Sequence, residues 1–129
     1  MKTTAIYFIR IAAASLALLA LVACEREQEA SFANDVQPVL NQYCIECHTA
    51  GGTGTEASGL DLSSYEGLMA GTRNGPMVIA GDSLGSNLLV LMEGRADPSI
   101  KMPHGSNEKV SAAEIEAIRL WIVQGAENN

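Results

Sequence analysis

A five-residue motif constrains this chain more than any other feature, because it contains two of the three cysteines and one of the two histidines. It reads Cys44-Ile45-Glu46-Cys47-His48, the pattern C-x-x-C-H. Two thiols at this spacing can each form a thioether with a vinyl group of one porphyrin, and the adjoining imidazole then lies beneath the iron. The motif therefore predicts one covalent haem c, with Cys44 and Cys47 as its thioether residues and His48 as the proximal iron ligand.

Three other interpretations of the motif were weighed against haem attachment. A zinc site takes four sulfur or nitrogen ligands, and His104 is the remaining candidate beside Cys44, Cys47 and His48. A thioredoxin-like redox pair is expected on a βαβ pattern, which this sequence does not show. A disulfide between the two cysteines would close too small a loop to stabilise much. Covalent haem is the favoured interpretation.

The N-terminal 23 residues have the pattern of a targeting segment. Lys2 and Arg10 precede an apolar run of 12 residues, 11–22, which is shorter than the roughly 20 residues that a membrane-spanning helix needs. The run ends in Leu21-Val22-Ala23-Cys24, which resembles the lipobox of bacterial lipoproteins. That resemblance implies a signal peptide over 1–23 and a lipid on the thiol of Cys24. An uncleaved helix over 5–23, or a spare thiol at Cys24, are the alternatives.

The lipoprotein resemblance also predicts where the chain is located. The protein is expected outside the cytoplasm in a bacterial cell envelope, anchored to a membrane by acyl chains. Glu25, rather than Asp, follows the cysteine, which weakly favours the outer membrane where two membranes exist. The predicted organisation is a signal peptide over 1–23, a lipid-anchored tether over 24–31 and a haem domain over 32–129.

The charge of the chain excludes one class of function and favours one class of partner. The formal net charge is −7, and it becomes −9 without residues 1–23, because Lys2 and Arg10 are lost and every acidic residue remains. A nucleic-acid-binding protein needs a basic surface, so that class is excluded. An acidic surface favours basic redox partners, although it also serves solubility alone.

Helical periodicity and capping residues predict an all-α domain of about four helices wrapped around the haem. The first helix is predicted over 35–43, with Asp35 as its N-cap. A glycine-rich loop is predicted over 49–59. Two further helices follow at 64–70, with a Ser63–Glu66 capping box, and at 86–93. The last helix begins at the capping box Ser111-x-x-Glu114 and ends near Gly125.

This order of elements resembles the small monohaem c-type cytochromes over residues 32–125. The resemblance implies that the first and last helices cross and that a methionine from the late loop completes the coordination of the iron. At the matching position stands Met102, and His104 and Met77 are the alternatives. Many members of the family place a proline after the motif to accept the histidine N–H. Here no proline occurs between His48 and Pro76. A loop carbonyl within 49–59 is therefore expected to accept the histidine N–H instead.

The chemistry of Met102 supports the same assignment. A thioether is a soft neutral donor that favours ferrous iron and raises the reduction potential, and Met102 lies in a segment constrained by Pro103 and Gly105. Met69 and Met92 fall inside predicted helices, where methionine usually fills the core.

The predicted function is electron transfer by a membrane-tethered carrier that is not an enzyme. A gas-binding, sensory or peroxidase-like haem domain is one alternative, and it requires an open or displaceable sixth position. A haem subunit of a larger oxidoreductase complex is another. Trp121 is expected to pack at the helix crossing or against the haem. Three cations are candidates for pairing with haem propionates: Arg73, Arg95 and Lys101.

Overall fold

The computed structural model describes residues 28–104 and 109–129, and the predicted signal peptide and Cys24 lie outside these ranges. Within them the chain is helical, without strands beyond one isolated bridge. The all-α prediction is therefore confirmed, with five α-helices in place of about four. We number them α1 (Gln37–Tyr43), α2 (Thr53–Ser58), α3 (Tyr65–Ala70), α4 (Asn87–Met92) and α5 (Ala112–Val123).

A π-helical turn over Phe32–Val36 precedes α1, so the first helical segment begins earlier than predicted. Its N-cap is Ser31, whose hydroxyl accepts a hydrogen bond from the Asn34 N–H, and the prediction of Asp35 as the cap was wrong. The Asp35 carboxylate instead accepts the backbone N–H of Ser31 at 2.8 Å. Pro38 lies in the first turn of α1. Because proline lacks a backbone N–H, Pro38 cannot donate the i to i−4 hydrogen bond that would connect α1 to the preceding turn.

The helix α2 lies inside the segment that was predicted to be a loop, so that prediction was wrong. Its N-terminal end is held by the C-x-x-C-H motif, since the N–H groups of Gly54 and Thr55 both donate to the Cys47 carbonyl, at 2.8 and 3.1 Å. It ends at Gly59, which has a left-handed φ of 83°. No residue of α2 is fully buried, so apolar periodicity could not reveal it.

The predicted helix over 64–70 is present as α3, but its cap differs from the prediction. The side chain of Ser64 is the cap and accepts from the Gly67 N–H at 3.1 Å. Ser63 instead donates its hydroxyl to the Asp61 carboxylate at 2.6 Å, so the Ser63–Glu66 capping box was wrong. The next predicted helix is confirmed as α4.

The C-terminal helix α5 is confirmed together with its capping box. The Glu114 N–H donates to the Ser111 hydroxyl at 3.2 Å, and the Glu114 carboxylate accepts the Ser111 N–H at 2.7 Å. Hydrogen bonds from Ser111 hold the pKa of Glu114 below its ordinary value. This contribution to stability is present above the unfolded pKa of a glutamate and is lost as the pH falls through the lower folded pKa.

An aromatic cluster joins the π-helical turn to α3 and α5. The ring of Phe32 lies 5.2 Å from that of Tyr65 and 5.6 Å from that of Trp121, between centroids. Trp121 is 1% exposed and donates its indole N–H to the Glu127 carbonyl at 2.8 Å. It packs at the junction of the first and last helical segments, as predicted.

Residues before the π-helical turn are held by the C-terminal end of the chain. The Ala30 N–H donates to the Gln124 side chain at 2.9 Å, and the Ser31 hydroxyl donates to the Asn129 carbonyl at 2.8 Å. Ala30 is buried. The final residues of the predicted tether over 24–31 therefore pack as part of the domain. In the described part of the chain, no helix combines the length and the apolar character needed to span a membrane.

Candidate haem site

The chain encloses an apolar cavity of about 650 Å³ between the C-x-x-C-H motif, α2, α4 and the segment 102–104. This volume lies within the range of small-molecule and cofactor sites. Its walls include both motif cysteines and both histidines. The apolar part of the lining consists mainly of Leu60, Leu62, Met77, Leu88, Leu91, Met92, Met102, Pro103 and Val110.

The motif continues directly from the C-terminal end of α1. The N–H of Cys44 donates to the Leu40 carbonyl at 2.9 Å, and the N–H of His48 donates to the Cys44 carbonyl at 2.9 Å. This turn places Cys44, Cys47 and His48 on the cavity wall. Cys44 and His48 are half-buried, whereas Cys47 is exposed.

A backbone carbonyl orients the imidazole of His48. Its Nδ1 lies 3.3 Å from the carbonyl oxygen of Leu60, which is only 3% exposed. A carbonyl can only accept, so Nδ1 carries the proton and Nε2 remains available to a metal. The acceptor was expected within 49–59, and it is the next residue, because α2 occupies most of that segment and returns the chain at Leu60.

The side chain of His48 packs against the backbone of Gly54. A Cβ built at Gly54 would lie 2.7 Å from Cε1 and 2.8 Å from Nε2 of His48. Such distances are far inside ordinary van der Waals contact. Only glycine fits at this position while the ring keeps its place, and this requirement explains a glycine inside α2.

The predicted distal ligand and both of its alternatives line the same cavity. Met102 is half-buried, Met77 is buried and His104 is exposed. The Met102 N–H donates to the Leu91 carbonyl at 3.3 Å, which ties this segment to α4. Met92 also lines the cavity, although its helical position had suggested a core residue alone. The choice of distal ligand stays a prediction.

The alternatives to haem find little support in the described residues. Within 28–104 and 109–129, no group of three His, Cys, Asp or Glu side chains could hold a metal ion. Burial, and then the neighbouring Cys47, raise the pKa of the Cys44 thiol to about 11. A redox-active thiol pair normally has a lowered pKa, so the raised value does not fit a thioredoxin-like site.

The three cations that were considered for propionates lie outside the cavity lining. The guanidinium of Arg73 donates to the carbonyls of Glu56 and Ala57 at the end of α2. Arg95 pairs with Glu93 and donates to the Leu84 carbonyl. Both arginines therefore serve the fold, and Lys101 is an exposed residue.

The residues present fit a covalently attached haem. Two thiols and one correctly oriented imidazole line one wall of an apolar cavity, and thioether sulfurs line it as well. An apolar lining with few polar groups is the ordinary environment of a bound cofactor.

Comparison with known families agrees with this fit. Residues 44–105 match the family described as Planctomycete cytochrome C. The match covers 62 of the 129 residues and supports a cytochrome c-like domain there. It indicates haem-based electron transfer and a covalently bound haem c. Comparisons with curated proteins and with solved structures gave no significant match.

The close approach of Gly54 to His48 predicts an unusual outcome for Gly54→Ala. Alanine normally stabilises a helix by up to about 1 kcal/mol relative to glycine. Here we expect lower stability and an altered haem absorption spectrum, because the new methyl group must displace the imidazole. Urea unfolding and absorption spectra of the haem-loaded protein measure both effects.

Glu56→Ala is the matched control, since Glu56 lies in the same helix, is exposed and is absent from the cavity lining. It should leave the spectrum unchanged. A more stable Gly54→Ala variant with the wild-type spectrum would show that the imidazole does not depend on this glycine.

Proposed function

We propose that this protein is a membrane-tethered, extracytoplasmic electron carrier with one covalently bound haem c. One observation carries the proposal: Cys44, Cys47, His48 and Met102 line a single apolar cavity. The family match over 44–105 supports the same function. The sequence contains a single C-x-x-C-H motif, which supports one haem.

Each of the four residues has a distinct proposed role. The sulfurs of Cys44 and Cys47 form the thioethers, Nε2 of His48 is the proximal ligand and the sulfur of Met102 is the distal ligand. A haem bound in this way supplies a one-electron iron(III)/iron(II) couple. The Met102 thioether favours the ferrous state, and the Leu60 carbonyl holds the His48 ring in position.

The shape and polarity of the cavity support a carrier over an enzyme. Cys47 and Glu46 are exposed where they line the cavity, so one edge of the bound group would lie near solvent and near a docked partner. Glu46 is the one carboxylate of the described lining. Acid–base catalysis needs positioned groups, and the side chains of Glu46 and His104, which line the cavity, are both exposed.

The identity of the distal ligand separates a carrier from a gas-binding, sensory or peroxidase-like domain. In Met102→Ala, we expect loss of the weak near-infrared band of methionine bound to ferric iron, a lower reduction potential and a gain of carbon monoxide binding. The reason is that removal of the thioether opens the sixth position. Spectroscopy and a redox titration of the haem-loaded protein measure these changes.

Met77→Leu serves as the control, because leucine conserves most of the volume of a buried methionine. It should retain the near-infrared band. If Met77→Leu loses the band and Met102→Ala keeps it, Met77 is the ligand. A wild-type protein that is high-spin and binds carbon monoxide readily is not the proposed carrier.

We propose that a lipid on Cys24 holds this domain close to the membrane surface. Ala30 is packed against the C-terminal end of the domain, which leaves six residue steps between it and Cys24. A fully extended chain spans at most about 3.5 Å per residue, or roughly 20 Å here. This location is consistent with the requirement that a carrier reach membrane-associated partners.

The tether proposal predicts a lipid adduct on a mature chain that begins at Cys24. Intact mass of the protein extracted from membranes should show it, and Cys24→Ser should move the protein to the soluble fraction or leave it unprocessed. The motif cysteines are untouched in this variant, so its haem spectrum is the internal control. A membrane-bound wild-type protein without a lipid adduct contradicts the proposal.

We propose basic redox partners, supported by the net charge of −9 for residues 24–129. Association steered by opposite charges slows as salt screens them. The second-order rate of electron exchange with a basic partner such as a cationic redox protein should therefore fall as ionic strength rises. A rate that is independent of salt, or that rises with it, contradicts this role for the charge.

A further inference from the structure

The carbonyl oxygen of Leu60 accepts two hydrogen bonds. The hydroxyl of Thr55 donates to it at 2.8 Å, and Nδ1 of His48 lies 3.3 Å from it. A carbonyl oxygen has two lone pairs, so both donors can be accommodated. The proximal histidine therefore shares its acceptor with a side chain of α2.

The Thr55 hydroxyl forms the shorter of the two hydrogen bonds to the Leu60 carbonyl oxygen. An O–H donor to a carbonyl is most often found near 2.7 to 2.8 Å and an N–H donor near about 2.9 to 3.0 Å. The Thr55 contact is at its ordinary length, whereas the contact from His48 is long. The hydroxyl thus has the stronger interaction with the shared oxygen.

The Leu60 peptide has little freedom to adjust to either donor. Its N–H donates to the Ser58 hydroxyl at 3.1 Å. Two residues later, Leu62 donates its N–H to the His48 carbonyl at 2.8 Å. Leu60 itself is buried and both hydrogen bonds to its carbonyl are partly buried, which limits competition from water. In such a site the strength of one bond depends on the other.

We propose that Thr55 raises the reduction potential of the iron by competing with His48 for the Leu60 carbonyl. This inference rests on the proposed function, because it assigns His48 to the iron. Thr55 is a positioning residue that acts through the carbonyl, since it is absent from the cavity lining.

The direction of the effect follows from the basicity of the imidazole. A strong hydrogen bond from Nδ1 makes a ligating histidine a better electron donor, and a better donor stabilises the ferric state. The Thr55 hydroxyl withdraws electron density from the shared oxygen and so weakens the bond from Nδ1. Without this competition, the ferric state gains stability and the potential falls.

Thr55→Val tests the proposal, because valine keeps the shape of the side chain and removes the hydroxyl. We expect a lower midpoint potential in a redox titration of the haem-loaded protein. In the diamagnetic ferrous state, the Nδ1 proton of His48 should also move downfield in the NMR spectrum, since its hydrogen bond is stronger. Thr55→Ser, which restores the hydroxyl, should return both values towards wild type.

Thr53→Val is the matched control for loss of a hydroxyl on the same helix, because Thr53 lines the cavity and the side-chain hydrogen bonds to the Leu60 carbonyl come from His48 and Thr55. Equal shifts in the two valine variants would overturn the proposal in favour of a general effect of polarity. Thr55→Ala removes the same hydroxyl and provides a second variant if valine disturbs the fold.

The outcomes separate this inference from the proposed function. A wild-type protein without a reversible low-spin couple contradicts the electron-carrier function itself, and the inference with it. A wild-type protein that has this couple, with an unchanged potential and Nδ1 proton in both Thr55→Val and Thr55→Ala, leaves the carrier function intact and overturns the role of Thr55 alone.

Discussion

The hydrogen bond between Nδ1 of His48 and the Leu60 carbonyl is the constraint on which the site depends. It closes a loop that starts and ends at the C-x-x-C-H motif. Leu62 also donates its N–H to the His48 carbonyl, and the first N–H groups of α2 donate to the Cys47 carbonyl. The imidazole is therefore oriented by backbone groups alone. Backbone groups orient a ligand with little conformational freedom, because they are held at both ends by the chain.

Tertiary contacts explain how such short helices form a stable domain. The five α-helices have 6 to 12 residues, and isolated helices of this length are marginal in water. Two of them gain stability elsewhere: α4 places Leu88, Leu91 and Met92 on the cavity wall, and an ion pair between Glu93 and Arg119 joins the end of α4 to α5. The cavity and the core are thus built from the same elements, which agrees with a cofactor that completes the packing.

Local patterns predicted part of this structure correctly. The Ser111 capping box and the helix predicted at 86–93 depend on residues within one or two helical turns, so the sequence alone revealed them. The start at Asp35 and the cap at Ser63 were wrong because a second side chain nearby competed for each role. The helix α2 was missed because its N-terminal N–H groups bond to Cys47 and none of its residues is fully buried.

The candidate site also contains residues that the sequence predicted and residues that it did not. The residues of the C-x-x-C-H motif carry their chemistry in their spacing, so their placement on one wall could be anticipated. The acceptor at Leu60 could not be anticipated, because every residue has a carbonyl. Only the path of the chain through α2 places this carbonyl beside His48. The sharing of that carbonyl with Thr55 depends on the same path, and no pattern of residue types indicates it.

The two sides of the cavity consequently differ in what positions their candidate iron ligands. On the proximal face, one imidazole is held by a buried carbonyl and by contact with Gly54. On the distal side, Met102 is tied to α4 through the Leu91 carbonyl, whereas Met77 lies among buried residues with its own carbonyl bonded to the Leu88 N–H. Met77 belongs to the buried core cluster and Met102 does not, so Met102 can approach a bound iron with less disturbance of the packing. This difference supports the proposal of Met102 as the distal ligand. The proposed effect of Thr55 on the potential would act on the other side of the iron, through the Leu60 carbonyl.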